Sequence, residues 1–254
     1  CWNKKTNRRI SALLLVNTYG FPTDTWEIKK ICSKYKIPVI EDCAESLGSF
    51  IRGNHCGRNS DISTLSFNGN KIITSGGGGM ILTNDGDLAA KAKHITTTAK
   101  IPHPWLFMHD QSGYNYRLPN INAALGLSQI ENLKYFLQKK KIIRSFYEKK
   151  LKNIKGISMV DYPKNHDNNF WLNIISFNKS IKKNVYDIHL YLLKNKIETR
   201  MIWFPCHLQK KMKMFENFNI KSTKDYFDRC LCLPSGTSLT IKNLNKIVHY
   251  LCKI

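Results

Sequence analysis

A strand–helix–strand pattern over residues 11–42 constrains the fold of this chain more than any other feature. The apolar run in "SALLLVNTYG" is bounded by turn formers, which is typical of a buried strand. The segment "TDTWEIKKICSKYK" starts with Thr and Asp capping residues and continues with helical periodicity, and "IPVIED" is a second buried strand. Two strands joined by a helix within about 30 residues predict a parallel sheet, and such sheets bind ligands at the carboxyl ends of their strands.

The same reasoning divides the 254-residue chain into two domains. "DISTLSF" and "GMILTN" are predicted strands, "DLAAKAKHI" is a predicted helix, and residues 100–119 form a long irregular segment, which in a compact domain is usually functional. One long helix is predicted from residue 119 to about residue 152. Beyond it we predict strands at 169–177, 198–204 and 230–235, and helices at 183–197 and 241–253. We therefore place a first domain at residues 1–135, and a linking helix with a small α+β domain at 136–254.

Charge and cysteine content narrow the classes of function. The 40 Lys and Arg residues outnumber 18 Asp and Glu residues, a net charge of +22 that suits nucleic acid, an anionic membrane or a phosphorylated ligand. The lysines are spread along the chain without a helix-turn-helix, RNP or zinc-finger pattern, so we expect neither nucleic acid nor a membrane as partner; a basic nucleic-acid binder is the less favoured alternative. The eight cysteines form no C-x-x-C pair and the histidines no H-x-x-x-H pair, which predicts a reduced, cytoplasmic protein without a metal site.

Lys71 and Asp42 are the first candidate site residues. Lys71 is the only cation in "SFNGNKIITSGGGG", where a predicted strand runs into four glycines. A lysine there can attack a carbonyl, although most lysines on turns are simply solvated. Asp42 ends a buried strand, where a carboxylate either faces the ligand crevice or caps the strand locally. Pyridoxal phosphate needs a lysine for covalent attachment and an acid partner for its pyridine nitrogen, and these two residues supply both.

Three sequence blocks in register resemble the signature blocks of the DegT/DnrJ/StrS family of pyridoxal-phosphate-dependent sugar aminotransferases. These blocks are "IEDCAESLGS", "SFNGNKIITSGGGGMILTND" and "GYNYRLPNINAALGLSQI", and "RMIWFPCHLQ" and "LCLPSGTSLT" resemble the family's C-terminal blocks. The resemblance covers nearly the whole chain. It is greatest to enzymes that aminate C4 of UDP-4-keto-6-deoxy sugars in pathways of the legionaminic acid or bacillosamine type. It implies an α/β protein of PLP-transferase fold type I, with a mainly parallel central sheet flanked by helices and a small α+β C-terminal domain.

The resemblance also implies roles for individual residues. Lys71 would hold the cofactor covalently and, once released by substrate, carry the proton between the cofactor and the sugar carbon. Asp42 would pair with the pyridine nitrogen, and Glu45 would lie near the ring hydroxyl, where the family often has Gln. Further expected ligands are Ser66 for the cofactor phosphate, Asn115 for the phosphate in the neighbouring subunit, and Asn68, His109 and Arg117 for the substrate.

The resemblance finally implies partners and an incomplete chain. We expect a homodimer with shared active sites that takes an amino group from glutamate and passes it to a nucleotide-linked deoxysugar, in surface polysaccharide or glycan biosynthesis. The family has a further N-terminal portion, so a chain beginning at Cys1 is expected to be truncated, with residues 1–135 forming the C-terminal part of the large cofactor-binding domain. A non-catalytic relic or dimerisation partner is therefore an alternative. A related sugar dehydratase is disfavoured, because those relatives replace the lysine with His.

Overall fold

The computed structural model describes residues 1–163 and 165–254, which form strands and helices joined by long irregular segments. The strands are β1 (Trp2–Asn3), β2 (Arg8–Arg9), β3 (Leu13–Val16), β4 (Val39–Asp42), β5 (Phe50–Ile51), β6 (Asn54–His55), β7 (Ile62–Ser66), β8 (Gly79–Leu82), β9 (Ile157–Met159), β10 (His166–Asp167), β11 (Asn173–Phe177), β12 (Arg200–Met201) and β13 (Cys230–Leu233). The helices are α1 (Thr25–Lys34), α2 (Gly86–Thr96), α3 (Asn120–Glu131), α4 (Leu133–Leu151), α5 (Val185–Lys194), α6 (Thr223–Arg229) and α7 (Ile241–Leu251).

The described residues form two compact units. One contains Cys1–Leu137 and Pro163–Trp171, and the other contains Gln138–Tyr162 and Leu172–Ile254. A short segment of the sequence beyond α4 thus belongs to the first unit. The domain limits expected from the sequence, 1–135 and 136–254, stay a prediction. Within the described chain, every helix is too short or too polar to cross a lipid bilayer.

A four-stranded sheet of order β3-β4-β7-β8 is the basis of the first unit. β3, β4 and β7 run parallel, and β8 is antiparallel to β7. The predicted strand–helix–strand unit is confirmed, with α1 between β3 and β4. The Asp24 side chain caps α1 by accepting from the Glu27 amide, and Asp61 joins helix and sheet because it pairs with Lys29 and accepts from the Val39 amide. The predicted mainly parallel sheet is therefore present.

A second small sheet of order β10-β5-β6 brings the chain back to the first unit after α4. β10 pairs antiparallel with β5, with His166 opposite Ile51. The chain then continues through residues 168–171, here called the return segment, before it enters β11. This pairing brings the return segment alongside residues 45–49, about 120 positions earlier in the sequence.

The second unit is an antiparallel sheet packed with helices. Its strand order is β12-β13-β11-β9. One stripe of α4 is buried at the helical spacing of four residues, through Ile143, Tyr147 and Leu151. These residues share one apolar core with buried positions of β9, β11, β13, α5 and α7. The predicted small α+β arrangement is therefore seen in this unit.

Three predictions about secondary structure were wrong. The single helix at 119–152 is two helices, because the Asn132 side chain donates to the Ser128 carbonyl at 2.8 Å and replaces the main-chain bond there. The strand predicted at 169–177 starts only at Asn173, since the return segment bonds to its own side chains. The strand predicted at 198–204 is reduced to Arg200–Met201, and helix α6 was not predicted.

Candidate active site

The carboxyl ends of β4 and β7 place two predicted ligands on one face of the sheet. Asp42 ends β4 opposite Thr64, and Ser66 ends β7 two residues after Thr64. Because in-register neighbours and alternate residues share a face, Asp42 and Ser66 lie on the same side, with Cα atoms about 8 Å apart from strand and residue spacings. Asp42 accepts from the Ala44 amide at 2.9 Å, and Ser66 accepts from the Asn68 amide at 3.3 Å.

Lys71 lies in a compact turn between β7 and β8. Its amide donates to the Asn68 carbonyl at 3.0 Å, and the Ser75 amide closes the turn by donating to the Phe67 carbonyl, also at 3.0 Å. The two isoleucines that follow Lys71 are buried. Because the turn is bonded at its base and anchored by apolar side chains, the position of Lys71 on the backbone is well defined.

The structure explains three of the four glycines. Gly76 has φ +80°, a backbone conformation that residues with a side chain rarely adopt. Gly78 has φ +89°, and a Cβ there would lie 2.5 Å from a side-chain carbon of Leu118. A Cβ on Gly79 would lie 2.4 Å from the Leu65 carbonyl oxygen in the neighbouring strand. Gly77, in contrast, faces open space. Positions 76 and 78 therefore favour glycine through their positive φ, and position 79 favours it through close backbone packing where the chain enters β8.

The Lys71 amine contacts both a carboxylate and an aromatic ring. Its Nζ is 3.7 Å from Glu45 Oε1 and 4.3 Å from the centre of the Trp171 ring. The two charged side chains are only 13% and 15% exposed. Since Glu45 follows Asp42 by three residues, this contact joins the lysine turn to the segment that leaves β4. Two predicted site residues, Lys71 and Glu45, are thereby brought into contact, and Asp42 lies three residues before Glu45 in the chain.

Backbone groups from an earlier turn hold the Glu45 carboxylate in place. Its Oε2 accepts from the Tyr19 amide at 2.6 Å. Tyr19 has φ +59°, and Gly20 follows with φ +84°. A Cβ on Gly20 would lie 2.0 Å from an Asn169 side-chain oxygen. This turn was not among the predicted site elements, and it aims an amide at Glu45 through a backbone conformation that non-glycine residues rarely adopt.

The return segment contains two site residues that the sequence reasoning missed. Asn169 Nδ2 donates to the carbonyls of Glu45 and Leu47 at 2.8 and 2.9 Å, and Trp171 Nε1 donates to the Asn70 carbonyl at 2.7 Å. Trp171 falls inside the strand predicted at 169–177 and was not a predicted site residue. The pair of asparagines before it, in "DNNFW", was the available signal, because adjacent Asn residues favour local side-chain bonds over a strand.

A buried polar cluster lies beneath the strand ends. Asn17 Nδ2 donates to Glu41 Oε1 at 2.8 Å and lies 3.5 Å from Cys43 Sγ. Burial raises the pKa of the Cys43 thiol, and the nearby Glu41 carboxylate raises it further. The same two causes raise the pKa of Cys56 to about 12. Both thiols therefore stay protonated at neutral pH and do not act as nucleophiles.

His55 supports the loop that carries Glu45. Its Nε2 accepts from the Gly48 amide at 2.8 Å, so the ring proton is on Nδ1, which donates to the Cys56 carbonyl. Burial lowers the pKa of His55. The imidazole is therefore neutral at physiological pH and acts as a structural acceptor.

Of the other predicted ligands, Asn68 lies in the Lys71 turn, and Asn115, His109 and Arg117 lie in the irregular segment after α2. Asn115 forms a β-bridge with Thr97, and the ring of His109 bonds to the Thr98 carbonyl at 2.7 Å. Thr98 has φ +70°, although it is β-branched. These contacts fold the segment back on itself and do not bring Asn115 or His109 to Lys71.

Arg117 lines a cleft of about 1260 Å³ in the first unit. The walls include residues of β8 and α2 together with Asn122 of α3. Among the predicted site residues, all of which are described, only Arg117 borders this cleft. The structure therefore brings Lys71 into contact with Glu45, places Asp42 and Ser66 on one face at the ends of neighbouring strands, and leaves Arg117 at a cleft that none of these four residues borders.

A model of the DegT/DnrJ/EryC1/StrS aminotransferase family matches residues 3–252. EpsN of Bacillus subtilis (strain 168), named as a candidate pyridoxal phosphate-dependent aminotransferase, is 33% identical over 252 residues, which are 98% of this chain and 64% of EpsN. The GDP-perosamine synthase of Escherichia coli O157:H7 is also 33% identical over 252 residues, 98% of this chain and 66% of that protein. The chain thus spans slightly less than two thirds of the length of these relatives.

Solved structures show the same fold. The Helicobacter pylori aminotransferase PseC, described as involved in pseudaminic acid biosynthesis, superposes with a TM-score of 0.88 at 23% identity over 96% of this chain and 66% of PseC. The aminotransferase TlmJ from Streptoalloteichus hindustanus gives a TM-score of 0.88 at 21% identity, over 96% of this chain and 65% of TlmJ. The predicted fold of type I is therefore confirmed.

Proposed function

Because the chain belongs to the DegT/DnrJ/EryC1/StrS aminotransferase family, as its sequence blocks predicted, we propose that it is part of a pyridoxal-phosphate-dependent sugar aminotransferase. The reaction moves an amino group from glutamate to the C4 keto carbon of a nucleotide-linked deoxysugar. One observation carries the proposal: the Lys71 amine is shielded between Glu45 and Trp171, at the edge of the sheet where Asp42 and Ser66 end their strands.

The donor set at this edge fits pyridoxal phosphate. Lys71 offers an amine for covalent attachment, Asp42 a carboxylate for the pyridine nitrogen, and Ser66 a hydroxyl for the phosphate. Asp42 and Ser66 are on one face and about 8 Å apart at Cα, so they can hold two ends of one small ligand. When bound, this cofactor supplies an electrophilic carbon and a ring that accepts electrons.

Each residue has a separate task in the proposed reaction. Lys71 Nζ is the point of attachment and, as a free amine, a general base that takes and returns a proton. The Asp42 carboxylate favours a proton on the nitrogen that it faces, since an opposite charge nearby stabilises the charged form. Glu45 pairs with the Lys71 ammonium, and the Trp171 ring covers the amine and excludes water from it.

The relatives guide the choice of substrate. One relative in Shigella dysenteriae is named dTDP-4-amino-4,6-dideoxy-D-glucose transaminase, and one in Campylobacter jejuni is named UDP-4-amino-4,6-dideoxy-N-acetyl-beta-L-altrosamine transaminase. Both names share a 4-amino-4,6-dideoxy sugar but differ in the nucleotide. We therefore propose C4 as the aminated carbon, with Asn68, His109 and Arg117 as substrate ligands. We also propose a homodimer in which Asn115 reaches the cofactor phosphate of the neighbouring subunit.

Reductive trapping tests the proposal at Lys71. Pyridoxal phosphate is added to the wild-type chain, to Lys71→Ala and to Lys91→Ala, which removes an exposed lysine of α2 in the same unit. After borohydride reduction, peptide mass analysis should find the cofactor on Lys71 in the wild type and in Lys91→Ala, and no specific label in Lys71→Ala. Labelling spread evenly over surface lysines contradicts the proposal.

Substrate specificity is tested on the loaded chain. UDP-, GDP- and dTDP-linked 4-keto-6-deoxy sugars are each incubated with glutamate, and mass analysis looks for the 4-amino product. Product from one of the three nucleotides identifies the substrate. A chain that is labelled at Lys71 but aminates none of them is not the proposed sugar aminotransferase.

A further inference from the structure

Trp171 makes two independent contacts with the lysine turn. Its indole ring lies 4.3 Å from Lys71 Nζ, and its Nε1 donates to the Asn70 carbonyl at 2.7 Å. One side chain therefore touches both the charged end of Lys71 and the backbone that carries it. Trp171 is 3% exposed, so its ring is a fixed surface.

Asn169 fixes the return segment in the position that these contacts need. Its side-chain amide donates to the carbonyls of Glu45 and Leu47, its side-chain oxygen accepts from the Trp171 amide at 2.9 Å, and its own amide donates to Ser49 at 3.0 Å. Asn169 is 1% exposed. The same side chain therefore bonds to the backbones of both residues that contact the Lys71 amine, Glu45 and Trp171.

We propose that Trp171 is a positioning residue for Lys71, anchored by Asn169, and that it holds the amine at one place between its ring and the Glu45 carboxylate before any ligand arrives. A long lysine side chain otherwise samples many rotamers, and a cation over an indole face is attracted by the ring quadrupole. The benefit of holding the amine rests on the proposed function, because an amine that is already in place reacts with a carbonyl ligand at lower entropic cost. The contacts that hold the amine are present in the chain without ligand and can be tested there.

Simple packing is the competing explanation for Trp171, and two variants separate it from positioning. Trp171→Phe keeps an aromatic face, whereas Trp171→Leu offers a similar apolar bulk without one. Both lose the indole N–H. If Trp171 only fills space, the two variants should leave Lys71 equally reactive. If the ring face holds the ammonium, Phe should protect Lys71 and Leu should not.

Competitive acetylation with a trace of acetic anhydride measures this reactivity without cofactor or substrate. Lys71 acetylation is compared at neutral pH with the other lysines of the same molecule, which serve as internal standards for folding. We expect Trp171→Leu to raise the Lys71 rate on the order of threefold to tenfold, and Trp171→Phe to stay within about twofold of the wild type. Trp203→Phe, in the other unit, should leave the rate unchanged. Equal rates in the Phe and Leu variants overturn the proposal.

A measurement on the wild type covers the case in which these variants do not fold. In a sample with isotopically labelled lysine, the ε-methylene resonance of Lys71, assigned through Lys71→Arg, should be displaced upfield by the Trp171 ring current. A resonance at the position of the exposed lysines contradicts the proposal. Neither readout uses pyridoxal phosphate, so a failure here is distinct from a failure of trapping at Lys71.

Discussion

Lys140→Met should remove a pH dependence of stability that the wild-type chain shows in the mildly alkaline range. Lys140 is buried in the second unit, where its Nζ donates to the Ser235 carbonyl at 2.6 Å. Burial lowers the pKa of Lys140 from 10.5 to about 8. Desolvation of the ammonium is the cause, since burial penalises the charged form.

Proton binding gives the direction and size of the effect. Between about pH 8 and 10.5 the unfolded chain keeps the Lys140 proton while the folded chain has released it, so the free energy of unfolding rises with pH. At about 1.36 kcal/mol per pH unit, the rise from pH 8 to pH 9.5 is about 2 kcal/mol. The hydrogen bond to Ser235 favours the charged amine and works in the opposite direction, so about 2 kcal/mol is an upper value.

Urea unfolding of the wild type, Lys140→Met and Lys141→Met at pH 7 and pH 9.5 checks this expectation. Lys141 is an exposed neighbour on the same helix and controls for general effects of removing a charge. From pH 7 to pH 9.5, the free energy of unfolding of the wild type should rise by up to about 2 kcal/mol more than that of Lys140→Met. Lys141→Met should show the same pH dependence as the wild type. Parallel pH profiles for the wild type and Lys140→Met would refute the reasoning.

Three further predictions concern the first unit. Gly79→Ala should destabilise the chain in urea by about 2 kcal/mol or more, because the new Cβ would lie 2.4 Å from the Leu65 carbonyl oxygen. The control Gly77→Ala should be nearly neutral, since Gly77 faces open space. Equal effects of the two variants would contradict the packing argument. His55 has a lowered pKa, so its contribution to the free energy of unfolding should be present above about pH 6.5 and should fall as the pH drops below that value. In thermal scans at several pH values, His55→Gln should therefore show a weaker fall in stability below about pH 6.5 than the wild type. An unchanged pH dependence would exclude the buried neutral ring. Asn169→Ala should cost about 2–4 kcal/mol in urea, since it leaves two part-buried carbonyls and one buried amide without the Asn169 side chain as partner. A loss below about 1 kcal/mol would show that water replaces these bonds.

Local patterns in the sequence predicted the residues that lie close together in the chain. The strand pattern predicted Asp42 and Lys71, because each follows or ends a predicted buried strand of a parallel sheet. Ser66 and Glu45 were implied by the family resemblance. Their roles as ligands stay predictions, but their position at this edge needed only strand periodicity and the family resemblance.

Contacts between distant segments could not be predicted in this way. Trp171 is separated from Asn70 by 101 positions and Asn169 from Glu45 by 124 positions, and both contacts depend on β10 pairing with β5. The pairing strands are two residues long, too short for a periodic signal. The helix break at Asn132 was missed for a different reason, since one side-chain bond decided it against a favourable apolar pattern.

The sequence by itself determined the parallel sheet, the order of its strands along the chain and the kind of groups at its edge, because those depend on residues a few positions apart. Only the tertiary structure decided what surrounds the Lys71 amine. The Tyr19 turn, the Glu45 loop and the return segment meet there from three separate parts of the chain. Their positions relative to one another depend on backbone hydrogen bonds and buried packing throughout the unit. A pattern within a short stretch of sequence does not predict these long-range contacts.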